Sequence, residues 1–188
     1  MHALGINERK AMNVMGYNHP HWVIAFMGGI LYNCVASGIY STNTSEACQY
    51  QAEHSEAEII VVDTVANLKK IESILHKLPL VKAVVCFAEE KLEGFSDSRF
   101  YTWRSFMQLG KDVKMEVINE KMNKQKAGKC ACLIYTSGTT GMPKGVMLSH
   151  DNMTSNSMMN KVVLGQSVQY DSEDRIVSYL PLSHIAGL

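Results

Sequence analysis

The most informative stretch of the chain is ACLIYTSGTTGMPKGVMLSH, residues 131–150, where an apolar run leads into small residues and then a single lysine. The apolar run predicts a buried strand, and the glycine, serine and threonine residues after it predict a loop. Glycine lets the main chain approach a ligand closely, so that successive amide N–H groups can converge on one anion. A strand, such a loop and a lysine together favour a phosphate-binding site.

The spacing within this loop excludes the two common nucleotide-binding motifs. A P-loop needs glycine directly before its lysine and serine or threonine directly after it, whereas Pro143 precedes Lys144 and Gly145 follows it. The dinucleotide fingerprint GxGxxG also fails, because Gly138 and Gly141 are not accompanied by a glycine at position 136. The loop therefore belongs to another kind of phosphate site.

Outward from this stretch, predicted strands and helices alternate. Continuous apolar runs predict strands at AMNVMGY (11–17), VASGIY (35–40), EIIVVD (58–63), KAVVCF (82–87), ACLIY (131–135), GVMLS (145–149) and RIVSYL (175–180). Helical spacing or helix-start residues predict helices at about 21–33, within 41–55, at 68–78, within 111–129 and at 151–160. This alternation predicts an α/β fold with a mainly parallel sheet and flanking helices.

Some segments carry more specific expectations. The run at 22–39 is better explained as a buried helix leading into a strand than as a membrane span, because glycines and polar residues interrupt it. Its helix is apolar on nearly all sides and should be covered on more than one face. In the next helix Ala47, Tyr50 and His54 share one face, and His54 is expected at the edge of the core. Residues 89–100 are expected to form an exposed loop, and the lysine-rich 111–129 a solvated surface helix.

Composition restricts the class of protein. With 188 residues, 46% of them hydrophobic and 19% charged, the chain can form a folded domain and is not a disordered or fibrous sequence. Eighteen basic residues balance eighteen acidic ones, so no overall charge directs it to nucleic acid. The five cysteines show no zinc or redox spacing, which predicts reduced thiols, a cytosolic location and no metal site. No secretory signal is expected.

The segment from Thr136 to Gly145 closely resembles the signature of the AMP-forming adenylate-forming enzymes, Thr-Ser-Gly-Thr-Thr-Gly-x-Pro-Lys-Gly, without a gap. This group includes acyl-CoA synthetases, luciferases and peptide-synthetase adenylation domains. Two other stretches are similar to family segments: GIYSTNTSEACQY, residues 38–50, and YLPLSHIAG, residues 179–187. Among the subgroups, the sequence looks most like the bubblegum-type long-chain acyl-CoA synthetases.

The resemblance implies a reaction and a set of site residues. A fatty carboxylate would attack the α-phosphorus of ATP to give an acyl-adenylate and pyrophosphate, and the thiol of CoA would then displace AMP. His184 would lie near the acyl carboxylate, and Lys144 with Mg²⁺ would draw charge toward the leaving pyrophosphate. The residues implied to surround the β- and γ-phosphates are Thr136, Ser137, Gly138, Thr139, Thr140, Gly141, Met142, Pro143 and Lys144.

The resemblance also sets the domain expectation. Family members are several hundred residues long, so residues 1–188 are expected to be part of the large N-terminal AMP-binding domain of a longer parent. The parent would be a long-chain acyl-CoA synthetase that uses ATP, fatty acid and CoA. Two alternatives stay open: a non-catalytic fragment or polyphosphate-binding module, and an adenylate-forming ligase with a different carboxylate substrate. A cytoplasmic location is expected, with peripheral association with the endoplasmic reticulum membrane as an option. The oligomeric state is left open.

Overall fold

The computed structural model describes residues 1–88, 91–136, 142–165, 171, 173–175 and 177–187. The strands are β1 (Ala11–Met15), β2 (Val35–Ile39), β3 (Ala57–Val62), β4 (Ala83–Cys86), β5 (Phe100–Thr102), β6 (Cys130–Thr136) and β7 (Lys144–Ser149). The helices are α1 (Pro20–Leu31), α2 (Ser45–His54), α3 (Val65–Ile74), α4 (Trp103–Gln108), α5 (Met115–Asn123) and α6 (His150–Gly165).

The strands form one sheet in the order β5-β4-β3-β1-β2-β6-β7. Every neighbouring pair is parallel except β6 and β7, which are antiparallel. The predicted mainly parallel α/β fold is therefore confirmed. From β1 the chain moves to β2 on one side and then returns to β3 on the other side of β1. This reversal creates a crevice at the carboxyl ends of β1 and β3, the position where ligands bind in open α/β sheets.

Both faces of the sheet are covered by helices, because the strands are apolar on both sides. On one face, Met12 and Val14 pack with Trp22 and Phe26 of α1, and residues of α4, α5 and α6 contact the same core. On the other face, alternate strand residues such as Met15 pack against α2 and α3. Cover on both faces explains why the residues of β3 from Ile59 to Val62 are all apolar.

Short polar side chains set where several helices begin. Thr44 accepts a hydrogen bond from the Ala47 N–H and so caps α2, while Thr64 caps α3 in the same way. At α1, Pro20 occupies the first turn, and the His19 side chain accepts a hydrogen bond from the His21 N–H. The chain therefore enters these helices at fixed points directly after the carboxyl edge of the sheet.

The structure corrects the expectation for α1. The helix buries Trp22, Phe26 and Ile30 against the sheet, but Val23 and Ile24 on its outer side are 43% and 52% exposed. A single sheet face can cover only one side of a helix, and α5, which also contacts α1, leaves Val23 and Ile24 exposed. The apolar run at 22–39 does form a helix, α1, followed by a strand, β2, as predicted.

The prediction of a strand at RIVSYL (175–180) is also wrong: the described residues of this segment form no strand. Their backbone groups are not paired with a neighbouring strand. Instead the carbonyl groups of Ser178 and Leu180 accept hydrogen bonds from the Asn18 side chain.

Sequence reasoning also missed β5 and α4, because β5 is only three residues long and α4 only six, too short for a periodic pattern. The described part of 89–100 is irregular up to β5, as expected, and α5 has no buried residue, as expected for a surface helix.

Candidate functional site

The glycine-rich stretch joins β6 to β7 at the carboxyl edge of the sheet. β6 ends at Thr136 and β7 begins at Lys144, and these two residues are paired across the antiparallel ladder. Because β6 runs parallel to β2, this pair lies at the edge where the parallel strands end. The remaining predicted loop residues lie outside the described part of the chain: Ser137, Gly138, Thr139, Thr140 and Gly141.

The described residues on either side of this stretch are open to solvent. Thr136 and Lys144 are exposed, and Met142 is 55% exposed. No described residue accepts a hydrogen bond from Lys144 Nζ or forms an ion pair with it. The described residues therefore leave the ammonium group open to an anion at this edge of the sheet.

Helix α2 holds both ends of the stretch. The Tyr50 hydroxyl donates a hydrogen bond to the Pro143 carbonyl oxygen at 3.0 Å, directly before Lys144. His54 Nδ1 lies 2.9 Å from the Tyr135 hydroxyl, directly before Thr136. The rings of Tyr50 and His54 stack on each other with centroids 5.4 Å apart. Burial raises the pKa of Tyr135 to about 12, so this hydroxyl keeps its proton.

These contacts refine what was predicted for α2. Tyr50 and His54 do share one face of the helix, as the spacing indicated. That face contacts the ends of the glycine-rich stretch, whereas Cys48 and Ala52 form the buried face. His54 is exposed and hydrogen-bonded to a tyrosine at the edge of the core.

His184 lies in a tight turn at the end of the described chain. Its backbone N–H donates to the Pro181 carbonyl oxygen at 2.9 Å, and its carbonyl oxygen accepts from the Gly187 N–H at 2.9 Å. The Ala186 N–H donates to His184 Nδ1 at 3.1 Å. Because Nδ1 accepts a hydrogen bond, the proton of the neutral ring is on Nε2. The exposed imidazole therefore presents an N–H donor to a ligand.

The turn lies against the carboxyl end of β2. Ser183 is only 2% exposed, and a Cβ atom added to Gly38 would lie 2.7 Å from the Ser183 Cα. Glycine at position 38 is what lets the turn approach the strand so closely. Since β2 and β6 are neighbours, the turn that carries His184 and the strand end that precedes Lys144 lie at the same carboxyl edge of the sheet.

A cavity of about 270 Å³ adjoins this turn. It lies between the first turns of α6, the end of β7 and Ile185, the residue next to His184. The residues that line it are Leu148, Asn152, Met153, Asn156, Ser157 and Ile185. This mixture of apolar and amide side chains could accommodate a largely apolar group attached to a polar one.

Sequence reasoning missed a cluster of rings at the same edge of the sheet. The His21 ring stacks on Trp103 with centroids 4.5 Å apart, and the His19 ring stacks on Phe87 at 5.0 Å. Burial lowers the pKa of His21, and the neighbouring His19 lowers it further. The pair of histidines at the start of α1 was the only sequence signal for this cluster. Phe87 and Trp103 follow other strands, so nothing in the sequence connects them to these histidines.

Two classes of feature are not found in the described part of the chain. Among residues 1–88, 91–136, 142–165 and the described residues beyond them, no three His, Cys, Asp or Glu side chains are grouped as metal ligands. Within the same residues, no helix has both the length and the apolar character needed to cross a bilayer.

A family profile described as AMP-binding enzyme matches residues 1–188, so the chain belongs to the AMP-binding enzyme family. It is 43% identical to the long-chain-fatty-acid–CoA ligase ACSBG2 of Xenopus laevis, over 98% of this chain and 25% of that protein. It is 39% identical to the human long-chain-fatty-acid–CoA ligase ACSBG1, with the same coverage of 98% and 25%. The resemblance to the bubblegum-type synthetases is thereby confirmed.

Solved structures share the fold. ATP-bound MatB from Rhodopseudomonas palustris superposes with a TM-score of 0.69 at 19% identity, over 98% of this chain and 33% of that one. The O-succinylbenzoate coenzyme A synthetase MenE from Bacillus subtilis, in complex with AMP, gives 0.64 at 20% identity, over 99% and 40%. The chain spans about a quarter of the length of the curated relatives it matches.

Proposed function

We propose that residues 1–188 are part of the N-terminal AMP-binding domain of an ATP-dependent long-chain fatty acid–CoA ligase. In this reaction the fatty carboxylate attacks the α-phosphorus of ATP, which forms a bond to the carboxylate oxygen and releases pyrophosphate. The thiol of CoA then attacks the acyl carbon and releases AMP. The observation that carries the proposal is the exposed ammonium group of Lys144 at the carboxyl edge of the sheet, which has no partner among the described residues, in a chain with these relatives.

The electrostatics of the first step explain why such a lysine is needed. Both reactants are anions, so their approach is opposed by charge repulsion. Opposite unit charges about 4 Å apart attract by about 4 kcal/mol at the effective dielectric constant of about 20 found near protein surfaces. Lys144, with Thr136 opposite it and the loop between them, would bind the β- and γ-phosphates and stabilise the charge that develops on pyrophosphate. Tyr50, bonded to Pro143, supports this position of the lysine.

His184 is proposed to bind the carboxylate. Its Nε2–H is a donor, since Nδ1 is occupied by the Ala186 N–H, and a carboxylate accepts hydrogen bonds only. The cavity beside Ile185 would take the apolar chain next to that carboxylate. The histidine and the cavity together would bring one carboxylate oxygen to the edge of the sheet on which Lys144 lies, which favours in-line attack.

ATP, CoA and Mg²⁺ are the further reactants and the cofactor implied by this function. Lys144 and Thr136 fit the phosphates of ATP, because they are exposed and the lysine has no described partner. The described residues do not form a carboxylate cluster suited to Mg²⁺, so no step is assigned to the ion. A cytoplasmic location, peripheral association with a membrane and the absence of nucleic-acid partners stay predictions.

The proposal can be tested by ATP–pyrophosphate exchange in the full-length parent with a panel of carboxylic acids. Exchange with long-chain fatty acids supports the proposal, and exchange only with another acid identifies a different adenylate-forming ligase. Lys144→Ala should lower exchange by about 100-fold or more, the usual effect of removing a group that stabilises developing charge. Fatty-acid binding should be retained.

Lys126→Ala is the matched control, because Lys126 is also exposed but precedes β6 at the opposite edge of the sheet. It should leave exchange unchanged. Undiminished exchange in Lys144→Ala, or an equal loss in both variants, would rule out the role assigned to Lys144.

A further inference from the structure

The side chain of Asn18 connects the start of the fold to the segment that carries His184. Asn18 lies between β1 and α1, at the carboxyl edge of the sheet. Its Nδ2 group donates to the Ser178 carbonyl oxygen at 3.0 Å, to Ser178 Oγ at 2.9 Å and to the Leu180 carbonyl oxygen at 2.8 Å. Its Oδ1 atom accepts from the Leu182 N–H at 2.9 Å.

This arrangement replaces the ladder that a neighbouring strand would provide. The side-chain amide has both a donor and an acceptor, so it can pair with carbonyl and N–H groups of an extended segment as a peptide group does. The three partner residues alternate along the segment, at positions 178, 180 and 182. One side chain therefore fixes the position and direction of the main chain of residues 178–182 at the carboxyl edge of the sheet.

A second contact fixes the segment sideways. Ser183 follows the last residue bound by Asn18 and packs directly on Gly38 of β2. The turn then closes through the hydrogen bond from the His184 N–H to the Pro181 carbonyl oxygen. Since β1 and β2 are neighbours, Asn18 and Gly38 hold the segment from two adjacent strand ends, and His184 is the next residue after both contacts.

We propose that Asn18 is a positioning residue for His184: its side-chain amide sets the main chain of residues 178–182 and thereby aims the Nε2–H of His184 at the substrate carboxylate. This inference rests on the proposed function for its catalytic consequence. The structural part, that Asn18 holds the segment, does not depend on it. One measurement can therefore test the structural role of Asn18, and another can test its effect on catalysis.

The first measurement is hydrogen exchange of the full-length parent, analysed for peptides covering residues 177–187. Asn18→Ala removes all four hydrogen bonds and should speed exchange in this segment by about fivefold or more, because each net hydrogen bond contributes roughly 1 kcal/mol. Asn7→Ala is the matched control. The Asn7 side chain also makes a long-range bond, to Glu58 at 2.6 Å, but near the amino ends of the strands. It should leave exchange in 177–187 unchanged.

The second variant, Asn18→Asp, keeps the size of the side chain and the acceptor for the Leu182 N–H. A carboxylate cannot donate to the carbonyl groups of Ser178 and Leu180, so it should loosen the segment as well. If Asn18 served only as a polar group of the right size, aspartate would preserve protection. Protection equal to wild type in both Asn18 variants would overturn the proposal.

The second measurement is steady-state adenylation kinetics in the same proteins. Misplacing His184 by about 1 Å should lower kcat by up to about 100-fold. The KM for fatty acid should rise while the KM for ATP stays close to wild type, because Lys144 is held by other residues. A uniform loss of active protein would instead lower kcat with both KM values unchanged, and that result would contradict a positioning role.

The outcomes distinguish the two hypotheses. If the wild-type parent shows no adenylation but Asn18→Ala still exposes residues 177–187, the proposed function fails and the structural role of Asn18 stands. If adenylation is normal and Asn18→Ala changes neither protection nor the KM for fatty acid, the function stands and the inference fails.

Discussion

The hydroxyl group of Tyr50 donates a hydrogen bond to the carbonyl oxygen of Pro143, 3.0 Å away and 93 positions later in the sequence. Tyr50 belongs to α2 on one face of the sheet, whereas Pro143 directly precedes Lys144 at the carboxyl edge. The main chain that carries the lysine is thus attached to a rigid helix. The proline also restricts the backbone at this point, which limits the directions the lysine can take.

Tyr50→Phe removes this hydrogen bond and retains the ring that stacks on His54. We expect the KM for ATP to rise by about fivefold, since the bond contributes about 1 kcal/mol to the position of Lys144. The KM for fatty acid should not change. The measurement is pyrophosphate exchange at varied ATP and at varied fatty acid.

The matched control for this prediction is Tyr101→Phe. Tyr101 lies in β5, at the far end of the sheet, and its ring packs on Phe106. Its substitution should leave both KM values at wild-type levels. An unchanged KM for ATP in Tyr50→Phe would mean that the loop keeps its position without α2.

Gly38→Ala should displace the turn that carries His184. The added Cβ would lie 2.7 Å from the Ser183 Cα, a contact with main chain that cannot be relieved by moving a flexible side chain. We expect a loss of about 1–3 kcal/mol in the free energy of unfolding, together with at least about tenfold lower adenylation. Urea unfolding and pyrophosphate exchange measure the two effects.

Gly28→Ala is the contrasting substitution. Gly28 lies within α1, and a Cβ atom added to it would have no neighbouring atom within 4 Å outside its own stretch of helix. Alanine there should stabilise the protein by about 0.5–1 kcal/mol, because glycine is the poorer helix former. Adenylation should be unaffected. Equal behaviour of the two variants would show that position 38 has no special role in holding the turn.

The His21 ring predicts a loss of stability in acid. Burial lowers the pKa of His21 in the folded protein, and His19 beside it lowers it further. The unfolded chain therefore binds a proton more readily than the folded one. The contribution of neutral His21 to the free energy of unfolding is fully present above about pH 6.5, the ordinary pKa of histidine, and is lost as the pH falls below it.

His21→Phe keeps a ring for stacking on Trp103 and removes the titration. Its urea-unfolding midpoint should fall less than that of wild type between about pH 7.5 and pH 5. Parallel decreases in the two proteins would assign the acid sensitivity to other groups. One of these is His150, whose pKa burial also lowers.

The isolated residues 1–188 should produce no acyl-CoA from ATP, palmitate and CoA. They span about a quarter of the length of their curated relatives, and their described part has no carboxylate cluster for Mg²⁺. The measurement is acyl-CoA formation by the isolated chain beside the full-length parent. Turnover by the chain alone would show that the described residues with their loop suffice for catalysis.

Local sequence was enough to predict most strands and their environment. Within EIIVVD, the residues from Ile59 to Val62 are apolar at successive positions, as is typical of a strand covered on both faces, and they lie in β3. The gap-free match from Thr136 to Gly145 likewise indicated the family, because the family signature specifies nine of these ten consecutive residues. RIVSYL has the same apolar character but forms no strand in its described residues, since its carbonyl groups bond to a side chain instead of a neighbouring strand.

The sequence by itself determined the fold class, the family and the lysine and histidine to consider, because each depends on residues close together in the chain. Only the tertiary structure decided the strand order, the outward apolar side of α1 and the contacts that hold the site. Asn18 and Leu182 are 164 positions apart, and Tyr50 and Pro143 are 93 apart. A hydrogen bond between such distant residues leaves no periodicity or spacing in the sequence, since it exists only after the sheet has brought the strand ends together.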